Sequence, residues 1–140
     1  MFAVLRVRGT SKLDGDVADT LKILHLNKPN HCVIIPDNPV YRGMLKKVQG
    51  CVAWGEIKPE VLKKLIEKRG KKESAKAKAP AKAAVKTEEK KSKEEHVSGV
   101  FKLSPPKNGF ARKGVLRGFG QGGELGYQKE KINELLERMI

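Results

Sequence analysis

The chain has little of what most enzyme chemistry needs. Its 140 residues include two cysteines, three histidines and one tryptophan, and aromatic residues make up only 5%. Cys32 and Cys51 are too few for a disulfide framework or a zinc site. Their apolar neighbours suit buried free thiols in a reducing compartment. None of His25, His31 and His96 stands at ligand spacing with a second His or a Cys pair. No glycine loop ends in Lys-Ser/Thr, and there is no nucleophile elbow. Asp14, Asp16 and Asp19 cluster at a helix start, where carboxylates meet the helix dipole favourably without any catalytic duty. A run of about 18 apolar residues, enough to cross a membrane, is also missing. The opening MFAVLRVRGT is apolar only briefly and then basic, which is not the order of a secretory signal. The expectation is a cytoplasmic protein with no metal, cofactor, membrane or small-molecule substrate.

What the chain does have is positive charge. Lys and Arg number 30 against 16 Asp and Glu, a formal net charge of +14. Such an excess in a small protein favours a polyanionic partner, because each neutralised phosphate releases counterions. The excess is uneven: net +6 over residues 1–70, +4 over 71–97, +5 over 98–123 and −1 over 124–140. Residues 98–123 contain no acid at all, so this stretch is a sharper electrostatic site than the more lysine-rich segment before it.

The element pattern is clearest over NHCVIIPDNPVYRGMLKKVQGCVAWGEI, residues 30–57. Cys32-Val33-Ile34-Ile35 has the length and branching of a buried strand. Asn38-Pro39 starts a helix: Asn caps and Pro fits the first turn. Tyr41, Met44, Leu45 and Val48 then form its apolar stripe, with Arg42, Lys46 and Lys47 off the stripe. Gly50 fits a left-handed terminator. Phe2 to Arg8 reads as a strand, with Arg6 and Arg8 on one face. A helix from about Asp16 follows, with Val17, Leu21 and Leu24 inward and Asn27 and Pro29 as its stop. Val52-Ala53-Trp54 is a third strand. Pro59 opens a third helix, with Val61, Leu62, Leu65 and Ile66 apolar. The order β-α-β-α-β gives an α+β domain, a small sheet with helices on one face. Connection lengths alone leave antiparallel and parallel pairing both open.

Three segments are expected: a β-α-β-α-β-α core over 1–70, a Lys/Ala/Glu-rich linker or arm over 71–97, and a basic Gly/Pro loop with a closing helix over 98–140, docked on the core. Residues 71–96 contain one Val and no Leu, Ile or aromatic residue, too little apolar surface to offset an ordering cost of roughly 1–2 kcal/mol per residue. The closing helix, from about Gln128, has Ile132, Leu135, Leu136 and Met139 on one face.

In the acid-free stretch, Lys107, Arg112, Lys113 and Arg117 alternate with Phe110 and Phe119 among repeated glycines. Cations reach phosphates, aromatics stack on unpaired bases, and glycines let backbone follow a folded RNA surface. Lys107, Asn108, Phe110, Arg112, Lys113 and Arg117 are therefore candidate RNA contacts. Arg6, Arg8 and Lys12 around Gly9-Thr10-Ser11 form a second group. Tyr41, Arg42, Lys46 and Lys47 on the second helix form a third, where a helix start attracts phosphate. Packing competes with contact for Phe110 and for Tyr41.

Four motifs carry a resemblance: FAVLRVRGT, the segment through Tyr41-Arg42-Gly43, LSPPKNGF, and GELGYQKEKINELLERMI. In this order they resemble the ribosomal protein L-thirty family of the large subunit, in its longer archaeal form, related to eukaryotic L-seven. The resemblance implies an antiparallel three-stranded sheet of split β-α-β, ferredoxin-like character. It also implies a structural, non-catalytic role on large-subunit ribosomal RNA, with neighbouring ribosomal proteins and five-S ribosomal RNA as partners. It assigns nothing to residues 71–96, where this chain departs from the family pattern. Two rival readings remain: a DNA-compacting or general nucleic-acid-binding protein, suggested by the Lys/Ala arm, and an enzyme built on His31, Cys32 and Cys51.

Overall fold

A computed structural model describes residues 1–9, 13–69 and 99–140. In chain order the elements are β1 Phe2–Arg6, α1 Gly15–Ile23, β2 His31–Ile35, α2 Pro39–Val48, β3 Val52–Glu56, α3 Pro59–Arg69, β4 Phe101–Lys102, β5 Gly126–Tyr127 and α4 Ile132–Met139. Short 3-10 turns lie at Gly114–Leu116, Phe119–Gln121 and Lys129–Lys131.

The strands form one sheet in the order β4-β2-β1-β3-β5. β1 lies at its centre and runs antiparallel to both neighbours, with Val4 opposite Val33 on one side and Trp54 on the other. This is the antiparallel three-stranded unit that the family resemblance implies, in a mixed α+β fold. The C-terminal segment adds a short strand at each edge. β4 pairs antiparallel with β2 (Cys32 opposite Phe101), and β5 pairs parallel with β3 (Ala53 opposite Gly126).

Helices cover both faces of this sheet, and here the one-face expectation is corrected. Alternation along β1 sends Phe2 and Val4 into a core with Leu21, Leu24, Leu45 and Val48, from α1 and α2. Ala3, Leu5 and Val7 enter a second core with Val61, Leu65, Leu135, Leu136 and Met139, from α3 and α4. A strand apolar on both faces needs cover on both. α1 and α2 thus cover one face and α3 and α4 the other. Leu135, Leu136 and Met139 are almost completely buried, and each such side chain contributes roughly 1.5–3 kcal/mol over leaving it in water.

Two contacts fix α4 against β3. The Asn133 amide donates to the Glu56 and Glu130 carbonyls at 2.9 and 2.7 Å, and its oxygen accepts the Lys58 N–H at 2.9 Å. Gly55 lies directly under the Lys129 carbonyl, where a Cβ would collide with that oxygen.

Local details differ from expectation at helix ends. Asn38 makes no side-chain cap bond, so Pro39 carries the start of α2 alone. Gly50 does not adopt positive φ; after α2, the Cys51 N–H returns to the Val48 carbonyl at 2.8 Å. α1 ends before Asn27: the chain reverses at His25, with φ of 58°. The arm over 71–96 and the start of the expected strand at Val97 lie outside the described residues.

Candidate nucleic-acid interface

The basic loop is a built structure. At its base Glu124 is buried, 5% exposed. One carboxylate oxygen accepts the Ala111 N–H at 3.0 Å, the other the Gln128 side-chain amide at 2.8 Å, and Arg138 stands 3.6 Å from the first. A half-buried backbone donor and a buried amide thus find their partners on one side chain, which is what keeps such groups from being costly. Arg138 also donates to the Gly109 carbonyl at 3.3 Å, and the Lys107 N–H donates to the Arg138 carbonyl at 3.0 Å. Further along, the Phe119 N–H bonds the Leu125 carbonyl at 2.8 Å, and the Gly123 N–H bonds Gly118 at 3.1 Å. Asn108, Gly109 and Gly114 take positive φ, turning the chain sharply between its cations. Glu124 was missed from sequence. Its only signal there is that it is the first acid after a long stretch without one.

On this frame Lys107, Asn108, Arg112, Lys113 and Arg117 are all exposed. Among the described residues, none of these four cations has a carboxylate partner. Phe110 is half-buried and packs against the α3/α4 core. That contact favours a packing role over base stacking.

The α2 group divides. Lys46 and Lys47 are exposed on the outer face, and among the described residues neither is paired. Tyr41 packs against the α1/α2 core. Arg42 is exposed, but its fork is taken: Nε and one terminal nitrogen each reach an Asp37 carboxylate oxygen at 2.6 Å. The bidentate bond holds the Asp37 carboxyl below its ordinary pKa and raises that of the guanidinium. The same guanidinium lies 5.7 Å from the centre of the Phe2 ring.

The N-terminal group is corrected at one residue. Arg6 is 2% exposed. Its guanidinium donates to the carbonyls of Arg8 at 3.0 Å, Leu26 at 2.6 Å and Gly9 at 3.1 Å. Burial and those three bonds commit the guanidinium to the backbone, so Arg6 is a structural cation that pins the end of β1 to the turn after α1. Arg8 remains exposed. Lys12 lies outside the described residues.

One cationic spot was not foreseen. His31 sits opposite Lys102 in the β2–β4 pairing. Its pKa is depressed first by burial and then by the charges of Lys102, Lys28 and Arg6. Lys28 and Lys102 are exposed. Lys102 comes from the far end of the chain, so only the strand pairing brings this group together.

The imagined thiol or metal site at His31, Cys32 and Cys51 does not form. Cys32 points into the α3/α4 core and Cys51 into the α1/α2 core, on opposite faces of the sheet. Burial pushes the Cys32 thiol up to about 12, and a protonated buried thiol is neither nucleophile nor ligand.

A family model described as "Ribosomal protein L30p/L7e" matches residues 2–52. A relative from Methanococcus vannielii is 44% identical over an alignment of 152 positions, covering 99% of both chains. One from Methanococcus maripaludis is 43% identical with the same coverage. Another, from Methanosphaera stadtmanae, is 34% identical and covers both chains fully. All three relatives carry the name "Large ribosomal subunit protein uL30".

Proposed function

The chain belongs to the ribosomal protein L30p/L7e family, and from that premise we propose how it serves as a structural constituent of the large ribosomal subunit. Its role is non-enzymatic, its place is the ribosome in the cytoplasm, and its partners are ribosomal RNA and neighbouring ribosomal proteins. It works by neutralising phosphates and holding RNA by shape and backbone contacts, without a base code.

The observation that carries this mechanism is the basic loop, whose exposed cations, unpaired among the described residues, stand on a hydrogen-bonded frame anchored by Glu124. Cations held in place lose less freedom on binding than cations on a free chain. The contact set is Lys107, Asn108, Arg112, Lys113 and Arg117 in the loop, Lys46 and Lys47 on α2, Arg8 just after β1, and, from the sequence alone, Lys12. Lys28 and Lys102 extend it. Five-S ribosomal RNA is a finer proposal, supported by the family resemblance.

Sedimentation tests the assignment. A tagged copy should travel with the large subunit through a high-salt wash. Recovery with genomic DNA instead would favour the rival compacting role.

Arg42 gives a sharper check. Asp37→Asn removes the carboxylate that occupies its fork and one negative charge with it. The expected result is tighter binding to large-subunit RNA and a salt slope steeper by about 0.7–0.9, one additional phosphate contact. An unchanged slope would place Arg42 outside the interface.

A further inference from the structure

A cavity of about 540 Å³ opens beside β5, lined by Phe119, Tyr127, Lys129, Lys131 and the carboxylates Glu56 and Glu130. Its volume is in the range of ligand pockets, about 300–1,000 Å³. The phosphate-neutralising role described above makes no use of it.

The lining is preorganised. The Tyr127 ring stacks on Trp54, with centroids 4.5 Å apart and planes 34° from parallel. Trp54 in turn meets the Phe2 ring edge-on at 5.3 Å. The Tyr127 hydroxyl donates to a Glu56 carboxylate oxygen at 3.1 Å, which fixes the other end of the side chain. Phe119 is set by its own N–H bond to the Leu125 carbonyl, and the Lys131 ammonium lies 5.5 Å from its ring centre. Lys129 is exposed and holds φ of 52°, uncommon for a residue other than glycine.

Aromatic rings with flanking lysines suit an unpaired nucleotide: rings take the base and ammonium groups take phosphates. Glu130 is paired with Lys58 at 3.4 Å, so Glu56 is the carboxylate that favours an edge rich in N–H donors. Guanine alone presents adjacent N1–H and N2–H donors, which match one carboxylate in a two-bond arrangement. We propose that this cavity receives one unpaired guanine of the bound RNA, with its N–H edge on Glu56, its face on Phe119 or Tyr127, and its flanking phosphates on Lys129 and Lys131. The proposal rests on the RNA-binding reading above and departs from its lack of a base code at this one contact.

The test uses the full chain and the four nucleoside 5′-monophosphates, with inorganic phosphate as control, followed through the ring resonances of Phe119 and Tyr127. GMP should shift both rings, at lower concentration than AMP, CMP or UMP, and phosphate should move neither. Glu56→Gln should remove most of the guanine preference, about tenfold or more, while purines still shift the rings. No ring shift with GMP, a shift equal to that from phosphate, or undiminished guanine preference in Glu56→Gln would each overturn the proposal. Binding to large-subunit ribosomal RNA, measured alongside, separates the two levels. If the wild-type chain binds that RNA and a Phe119→Ala/Tyr127→Ala variant of unchanged thermal unfolding binds it equally well, the guanine pocket fails and the RNA role stands. If the wild-type chain does not bind that RNA, the RNA role itself fails and takes the pocket with it.

Discussion

Replacing Lys107, Arg112, Lys113 and Arg117 together with Gln should weaken binding to large-subunit ribosomal RNA by about a thousandfold at about 0.1 M salt, and by little at about 1 M. Each phosphate contact contributes a slope of about 0.7–0.9 in log K against log salt, so four lost contacts flatten the slope by about three. The fold should not suffer. All four side chains are exposed, and among the described residues none of them pairs with a carboxylate. The bonds that shape the loop run through backbone groups and the Glu124, Gln128 and Arg138 side chains, which stay in place. A salt titration of RNA binding, with thermal unfolding as control, checks the expectation. An unchanged slope in a folded variant would mean that the loop does not face phosphate.

The largest effect on stability is expected from Gly55→Ala. Gly55 sits in β3, buried, and its missing side chain is where the Lys129 carbonyl oxygen and the Ile132 side chain pack. An added Cβ would meet backbone, which has no rotamer to change, so β3 and the turn before α4 must separate. That separation strains the Asn133 bonds to Glu56 and Lys58 and the seating of Leu135, Leu136 and Met139. Overpacking of this kind costs about 3 kcal/mol out of a total of about 5–15 kcal/mol for a domain. The melting temperature should fall by roughly 10–20 °C. Gly50→Ala, where an added Cβ has open space and φ is not positive, should have little effect. Equal melting of Gly55→Ala and the wild type would show that α4 is not held this closely.

Much of the fold between Phe2 and Arg69 is legible in the sequence because it follows local rules. Alternation and helical spacing, with Pro39 and Pro59 as starts, locate three strands and three helices. The second covered face is harder to read. β4 and β5 are two residues each, too short for any periodicity, and they join the sheet through pairing with strands far away in sequence. α4 was visible as an amphipathic helix, but nothing local says which face of the sheet it covers. The site shows the same division. Exposed cations on α2 and in the loop are readable from their spacing and from the missing acids. Arg6 was misread because its fate depends on the carbonyls of Leu26 and Gly9, which strand periodicity does not reveal. The meeting of Lys28, His31 and Lys102 likewise needs the β2–β4 register.

The central claim is that the Glu124-anchored basic loop lies against ribosomal RNA. Protein–RNA crosslinking in intact large subunits, with the linked residues identified, tests it most directly. Links to ribosomal RNA should concentrate on residues 107–117, with further links at Lys46 and Lys47 and none at the buried Arg6. Links to RNA from other surfaces while the loop stays unlinked, or loop links only to neighbouring proteins, would contradict it.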